Sequence, residues 1–333
     1  MSRPRIVSAG PLPAAGRELL APLGDLIEAP DGEPATMLTL LASATVLIAR
    51  GPTRVTAELI DAAPQLRAIG RNGIGVDGID LAAATRRGVA VVIVPDGAVA
   101  TVAEGTFALL LALAKRLREL DGLVRDGDWD SRDRIVLGDL AGATLGLVGV
   151  GRIGRRVAEL AIAFGMEVLA ADPALDAGHV APGVRVAPLE ESVATADFLT
   201  LHVPLTPATA GLIDFALLQR ARLGLLMVNV SRGAVAPLDD LESALSAGLL
   251  AGVGLDVFSP EPPDLTHPIF RRPEVLCSPH AHAHAHAHAH AHAHAHALTP
   301  AAQRRTFTLL GEGLAAVLAG GRAPAVANPE VFR

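Results

Sequence analysis

The chain has 333 residues, half of them hydrophobic and 19% charged, which is long enough for two globular domains and excludes a disordered chain. A net charge of −7 without a long basic cluster argues against nucleic acid as a partner. Cys277 is the only cysteine, so an intrachain disulfide is excluded and a reducing compartment, the cytoplasm, is expected.

The N-terminal stretch MSRPRIVSAGPLP has no apolar signal-peptide core, and the longest apolar run, FALLLALA at 107–114, is far short of a membrane span. No membrane partner is expected. Strands are predicted in chain order at 5–9, 45–49, 67–71, 89–94, 144–150, 167–172, 198–203, 225–230, 251–257 and 275–279. Most are continuous apolar runs, as expected of parallel strands covered on both faces. Helical patterns separate them, giving βαβ units and doubly wound sheets. One block covers residues 1–98. A second begins at 99 with VATVAEGTFALLLALAKRLREL, read as one long helical segment. The closing segment from 299 is helical, with Thr299 as cap and Pro300 at the first helical position.

Within the second block, TLGLVGVGRIGRRVAEL carries Gly149-x-Gly151-x-x-Gly154 between an apolar strand and a helical pattern. In that setting Gly149 permits the tight turn, Gly151 lets backbone approach a pyrophosphate, and Gly154 lets helix and strand pack closely. The phosphates then meet the positive end of a helix dipole. Asp172 ends the next strand, where a carboxylate accepts hydrogen bonds from a ribose diol and repels a 2′-phosphate. NAD is therefore the expected cofactor, ahead of NADP.

These blocks, with GRNGIGVDGIDLAAATRRGVAV, LHVPLTPATAGLI, VNVSRGAV, GLDVFSPEPP, SPH and VANPEV in order, resemble the D-isomer-specific 2-hydroxyacid dehydrogenases over nearly the whole chain. The resemblance implies an α/β fold of two doubly wound parallel-sheet domains. A Rossmann NAD-binding domain would cover 99–298, and a flavodoxin-like substrate domain 1–98 plus 299–333, with the active site in the cleft between them. It implies a homodimer joined through the NAD-binding domain. It matches Arg232 to the arginine that grips the substrate carboxylate, Glu261 to the acid beside the catalytic histidine, and His280 to the proton donor and acceptor. A planar guanidinium suits bidentate carboxylate binding, and a carboxylate beside imidazole favours the protonated ring. Arg152, Ile153, Val203, Pro204, Val230 and Asp256 match cofactor-lining positions. Asn72, Gly73, Ile74 and Gly75 match the loop whose backbone holds the substrate carboxylate. The lone His179, His202 and His267 are read as structural or exposed.

From His280 to His296 histidine and alanine alternate without a break. Counting forward from the strand before it places the catalytic histidine at His280, and counting back from Thr299 places it at His294. The expected parity is kept, as duplication of a His-Ala unit would leave it, so 281–297 is read as a low-complexity insertion and His280 is preferred. No closed metal site is expected, because no carboxylate or cysteine constellation accompanies the tract. The chain ends soon after the closing helix, so a C-terminal regulatory domain is not expected. The expected activity is NAD-dependent interconversion of a small 2-oxo acid and its D-2-hydroxy acid, with a phosphoglycerate-, hydroxypyruvate- or glyoxylate-like substrate. The alternatives are a non-enzymatic NAD(H)-sensing protein of the corepressor type and a metal-binding His-tract protein on the same scaffold.

Overall fold

A computed structural model describes residues 3–50, 53–175, 183–280 and 299–333. These residues form two compact units, one of 3–98 with 299–333 and one of 99–280.

The first unit is built on five strands, β1 (Arg5–Ser8), β2 (Asp25–Glu28), β3 (Val46–Ala49), β4 (Ala68–Arg71) and β5 (Ala90–Val92). All are parallel, in the order β2-β1-β3-β4-β5, a flavodoxin-like order with helices between successive strands. Both faces are covered. Met37, Leu41, Leu59 and Ile60 pack on one side of the sheet, and Leu20, Phe307, Leu310 and Leu314 on the other. The last three belong to the closing helix Pro300–Leu318, which starts as predicted: Thr299 accepts from the Ala302 N–H and Pro300 follows at the first position. Gly70 lets that helix approach β4, because a Cβ there would sit about 3.1 Å from Leu310 and Ile48 side chains. Arg67 closes its far end, donating to the carbonyls of Val317 and Leu318, where cation and helix dipole attract. Asn328 then stitches the tail to β5, accepting from the Val91 N–H and donating to the Val89 carbonyl.

The second unit holds seven strands, β6 (Thr144–Val148), β7 (Glu167–Ala171), β8 (Val184–Val186), β9 (Phe198–Leu201), β10 (Leu225–Asn229), β11 (Leu250–Leu255) and β12 (Val275–Cys277). Their order is β12-β11-β10-β9-β6-β7-β8, again all parallel. Counted from β6, this is the Rossmann order with one strand added beyond its last. The reversal of direction falls between β6 and β9, the point at which sheets of this order bind ligands.

Two expectations change. The strands β2 and β8 were not predicted; both are edge strands, short and only partly buried, so DLIE and VRV carry no continuous apolar run. The long helical segment at 99–120 is two helices, Val99–Ala114 and Leu117–Asp126. The break is at Arg116, whose backbone is left-handed with φ 46°. The first helix is buried along most of its length, and Leu109 packs against β11 at Gly254. The second buries no residue.

Candidate active site

The glycine turn after β6 has the geometry its spacing predicts. Gly149 has φ 89°, and a Cβ there would lie 2.8 Å from Val203 Cγ1 and 2.9 Å from the His202 carbonyl. A Cβ on Gly154 would overlap the Gly149 carbonyl oxygen. At Gly151 nothing lies within 4 Å of an added Cβ, so the turn is open where a pyrophosphate would approach. Gly151 is also the N-cap of helix Arg152–Ala163 and offers no capping side chain. The first-turn N–H groups, those of Arg152 and Ile153 among them, therefore point toward an anion site.

Asp172 braces this turn as well as bordering it. Its Oδ2 accepts from the Val150 N–H at 2.8 Å and its Oδ1 from the Ala174 N–H at 2.9 Å. Each oxygen keeps a lone pair for a ribose hydroxyl. The glycine turn, the uncapped helix and this carboxylate fit a dinucleotide. On the other side of the turn, Val203 touches Gly149, and the Pro204 carbonyl is held by the Thr209 hydroxyl at 2.6 Å. His202, just before them, has both ring nitrogens enclosed and without a hydrogen bond among the described residues. Burial pushes its pKa down to about 3, so the ring is neutral at working pH.

Three loops follow three neighbouring strands. After β10, buried Asn229 shapes the loop that carries Arg232. Its Oδ1 accepts from the Ser231 N–H and hydroxyl, and its Nδ2 donates to the Arg232 carbonyl. Val230 is buried within this turn. The next residue, Gly233, must be glycine because a Cβ would overlap the Phe258 backbone, so the loop after β10 lies directly against the loop after β11. That second loop carries Glu261. Its Oε1 accepts from the Phe258 N–H at 2.9 Å, and its Oε2 lies 2.7 Å from His280 Nδ1, after β12. A carboxylate can only accept, so Nδ1 carries the proton and proton exchange with a ligand falls to Nε2. His280 is buried and its backbone is left-handed, φ 55°. Asp256, at the end of β11, is fully buried and accepts from the Ser278 hydroxyl at 2.6 Å.

The Asn72–Gly75 loop belongs to the first unit and follows β4. Arg71 Nε donates to the Gly75 carbonyl, and the Val94 N–H donates to the Gly73 carbonyl. Space is open at Gly73, and Ile74 is half exposed. On the neighbouring strand, directly after β3, stands a residue that the sequence reading missed. Arg50 is 8% exposed, and its Nε and Nη1 are enclosed without a hydrogen bond among the described residues. Desolvation lowers its pKa, against the pull of Glu28. An arginine immediately after an apolar strand of a parallel sheet was the available signal, because ligands meet such sheets at those strand ends.

His267 is structural, bonded to Asp239 at 3.0 Å and to the Ile269 N–H. His179, His294 and the tract 281–297 lie outside the described residues. Among the described residues no group of three His, Cys, Asp or Glu side chains could hold a metal ion, and no helix is long and apolar enough to cross a membrane.

Residues 107–281 match the model of the D-isomer specific 2-hydroxyacid dehydrogenase, NAD binding domain. The chain belongs to the D-isomer-specific 2-hydroxyacid dehydrogenase family. It is similar to D-3-phosphoglycerate dehydrogenase of Mycobacterium bovis, 36% identical over 93% of this chain and 56% of the relative. D-3-phosphoglycerate dehydrogenase 2 of Arabidopsis thaliana is 36% identical over 84% of this chain and 45% of its own. The chain thus spans about half the length of these curated relatives. Among solved structures, a protein from Thermus thermophilus superposes with a TM-score of 0.86 at 33% identity, covering 97% of this chain and 99% of the other. An NADPH-dependent glyoxylate/hydroxypyruvate reductase from Sinorhizobium meliloti, in complex with NADP and malonate, does so at 0.85 with 26% identity, covering 100% and 99%.

Proposed function

We propose that the protein interconverts a small 2-oxo acid and its D-2-hydroxy acid with NAD as cofactor. The observation that carries this is the Glu261–His280 pair at 2.7 Å, on loops beside the one that presents Arg232. When bound, the dinucleotide supplies the hydride donor and acceptor. Arg232 holds the substrate carboxylate with its planar fork, and His280 Nε2 gives a proton to the carbonyl oxygen during reduction and takes it back during oxidation. Glu261 fixes the ring orientation and stabilises the charged imidazolium. Asp256, Val230, Val203 and Pro204 line the cofactor beside the glycine turn.

In this reading 99–298 is the NAD-binding domain and 1–98 with 299–333 is the substrate-binding domain, whose Asn72–Gly75 backbone meets the substrate carboxylate. Arg50, a desolvated cation with two nitrogens that find no hydrogen-bond partner among the described residues, favours substrates with a second anionic group, of the phosphoglycerate kind. Asp172 favours NAD over NADP, in contrast to the NADPH-dependent Sinorhizobium reductase. A homodimer through the NAD-binding domain is supported by the exposed Leu117, Val124, Trp129, Val136 and Leu137, which fall in one stretch of twenty-one residues. The single cysteine accords with a cytoplasmic location.

The test is a screen of NADH and NADPH oxidation over glyoxylate, hydroxypyruvate, phosphohydroxypyruvate, pyruvate and bulkier 2-oxo acids. Turnover of at least one small 2-oxo acid with NADH is expected. NADH binding without turnover of any of them would favour the sensing alternative.

A further inference from the structure

Ser278 lies between β12 and His280 and is bonded to both sides of it. Its hydroxyl donates to Asp256 Oδ1 at 2.6 Å, within the range of a charge-assisted O–H···O⁻ bond. Its N–H donates to the Leu255 carbonyl at 2.8 Å, and its own carbonyl accepts from the His280 N–H at 2.9 Å. That last bond closes a three-residue turn about Pro279, whose missing N–H and fixed φ suit the central position.

The turn has a demanding task. His280 leaves it at φ 55°, a conformation that residues with a Cβ adopt only where their surroundings over-determine it. β12 by itself gives little support. Among the described residues it is the edge of its sheet and pairs only with β11, through Val275, Leu276 and Cys277. Beyond His280 begins the alternating His/Ala run, which contains seven further histidines of the same parity up to His294. Ser278 is the residue that extends the attachment past the last paired strand position, through both its backbone and its hydroxyl.

We propose that Ser278 is a positioning residue for the hydride-transfer site: its hydroxyl, held by buried Asp256, fixes the turn that presents His280 to Glu261. Through this bond the first histidine of the run is singled out from those that follow. The proposal rests on His280 as the proton donor and adds no bond-making step of its own.

The test compares steady-state turnover and thermal melting of the full-length protein with Ser278→Ala, Ser278→Thr and His280→Ala. Ser278→Ala should lower kcat about 10- to 100-fold, as loss of a charge-assisted bond does. KM for the oxo acid should stay within about threefold, because Arg232 is untouched. Ser278→Thr keeps the hydroxyl and should restore kcat. The proposal is overturned if Ser278→Ala keeps kcat within about twofold of the parent, or if Ser278→Thr is as impaired as Ser278→Ala with an equal fall in melting temperature. His280→Ala separates the two levels: full activity there refutes the catalytic reading itself, whereas an inactive His280→Ala beside a fully active Ser278→Ala refutes only the role of Ser278.

Discussion

At the scale of single residues, Glu261 holds two things at once: the Phe258 backbone with one oxygen and the His280 ring with the other. Glu261→Gln keeps a carbonyl acceptor but loses the charge that stabilises an imidazolium. We expect kcat to fall about 10- to 100-fold with NADH binding unchanged, checked by turnover and fluorescence titration. His202 gives a prediction of a different kind. Its folded pKa of about 3 lies below the ordinary value of 6.5, so below pH 6.5 the unfolded chain takes up a proton that the folded chain refuses. Its contribution to stability is intact above pH 6.5 and is lost as pH falls from there toward 3. Between pH 7 and pH 5 the parent should lose about 2 kcal/mol more stability than His202→Gln, measured by denaturant unfolding at each pH.

At the scale of elements, the strand–turn–helix around Gly149 depends on close backbone contact. Gly154→Ala places a Cβ on the Gly149 carbonyl, so the helix must move off the turn proposed to hold the phosphates. NADH affinity should fall at least tenfold, with a loss of about 2 kcal/mol or more in stability; unchanged affinity would contradict the assignment of this turn.

This unit was legible in the sequence because each glycine meets a local requirement that spacing alone expresses. The trio proposed to be catalytic stands out in the sequence for a related reason: Arg232, Glu261 and His280 each follow an apolar strand, and their motif blocks stand in order. Other parts were hidden. β2 and β8 sit at sheet edges, where partial burial erases the apolar run, and the helix break at Arg116 rests on one backbone angle inside an otherwise helical pattern. Asn229 and Ser278 could not be read either. Asn229 acts through three hydrogen bonds within its own loop, and Ser278 through a hydroxyl bonded to a neighbouring strand, so neither leaves a periodic trace. Arg50 was missed because its meaning lies in the burial of two nitrogens without a hydrogen bond among the described residues, which composition does not reveal.

At the scale of the whole molecule, the segment around helix Leu117–Asp126 exposes Leu117, Val124, Trp129 and Val136. Replacing both Val124 and Trp129 by Asp should convert a dimer to a monomer in light scattering, with the melting temperature of the isolated chain little changed. A parent that is already monomeric would contradict the proposed association.

We propose that His280, braced by Glu261, is the proton donor of a 2-oxo acid reductase and that the histidines after it are surplus. The most direct measurement is NADH oxidation with the best 2-oxo acid, comparing His280→Ala and His294→Ala at equal NADH occupancy. We predict a loss of about 100-fold or more for His280→Ala and activity near the parent level for His294→Ala. Full activity in His280→Ala, with loss in His294→Ala, would contradict the account.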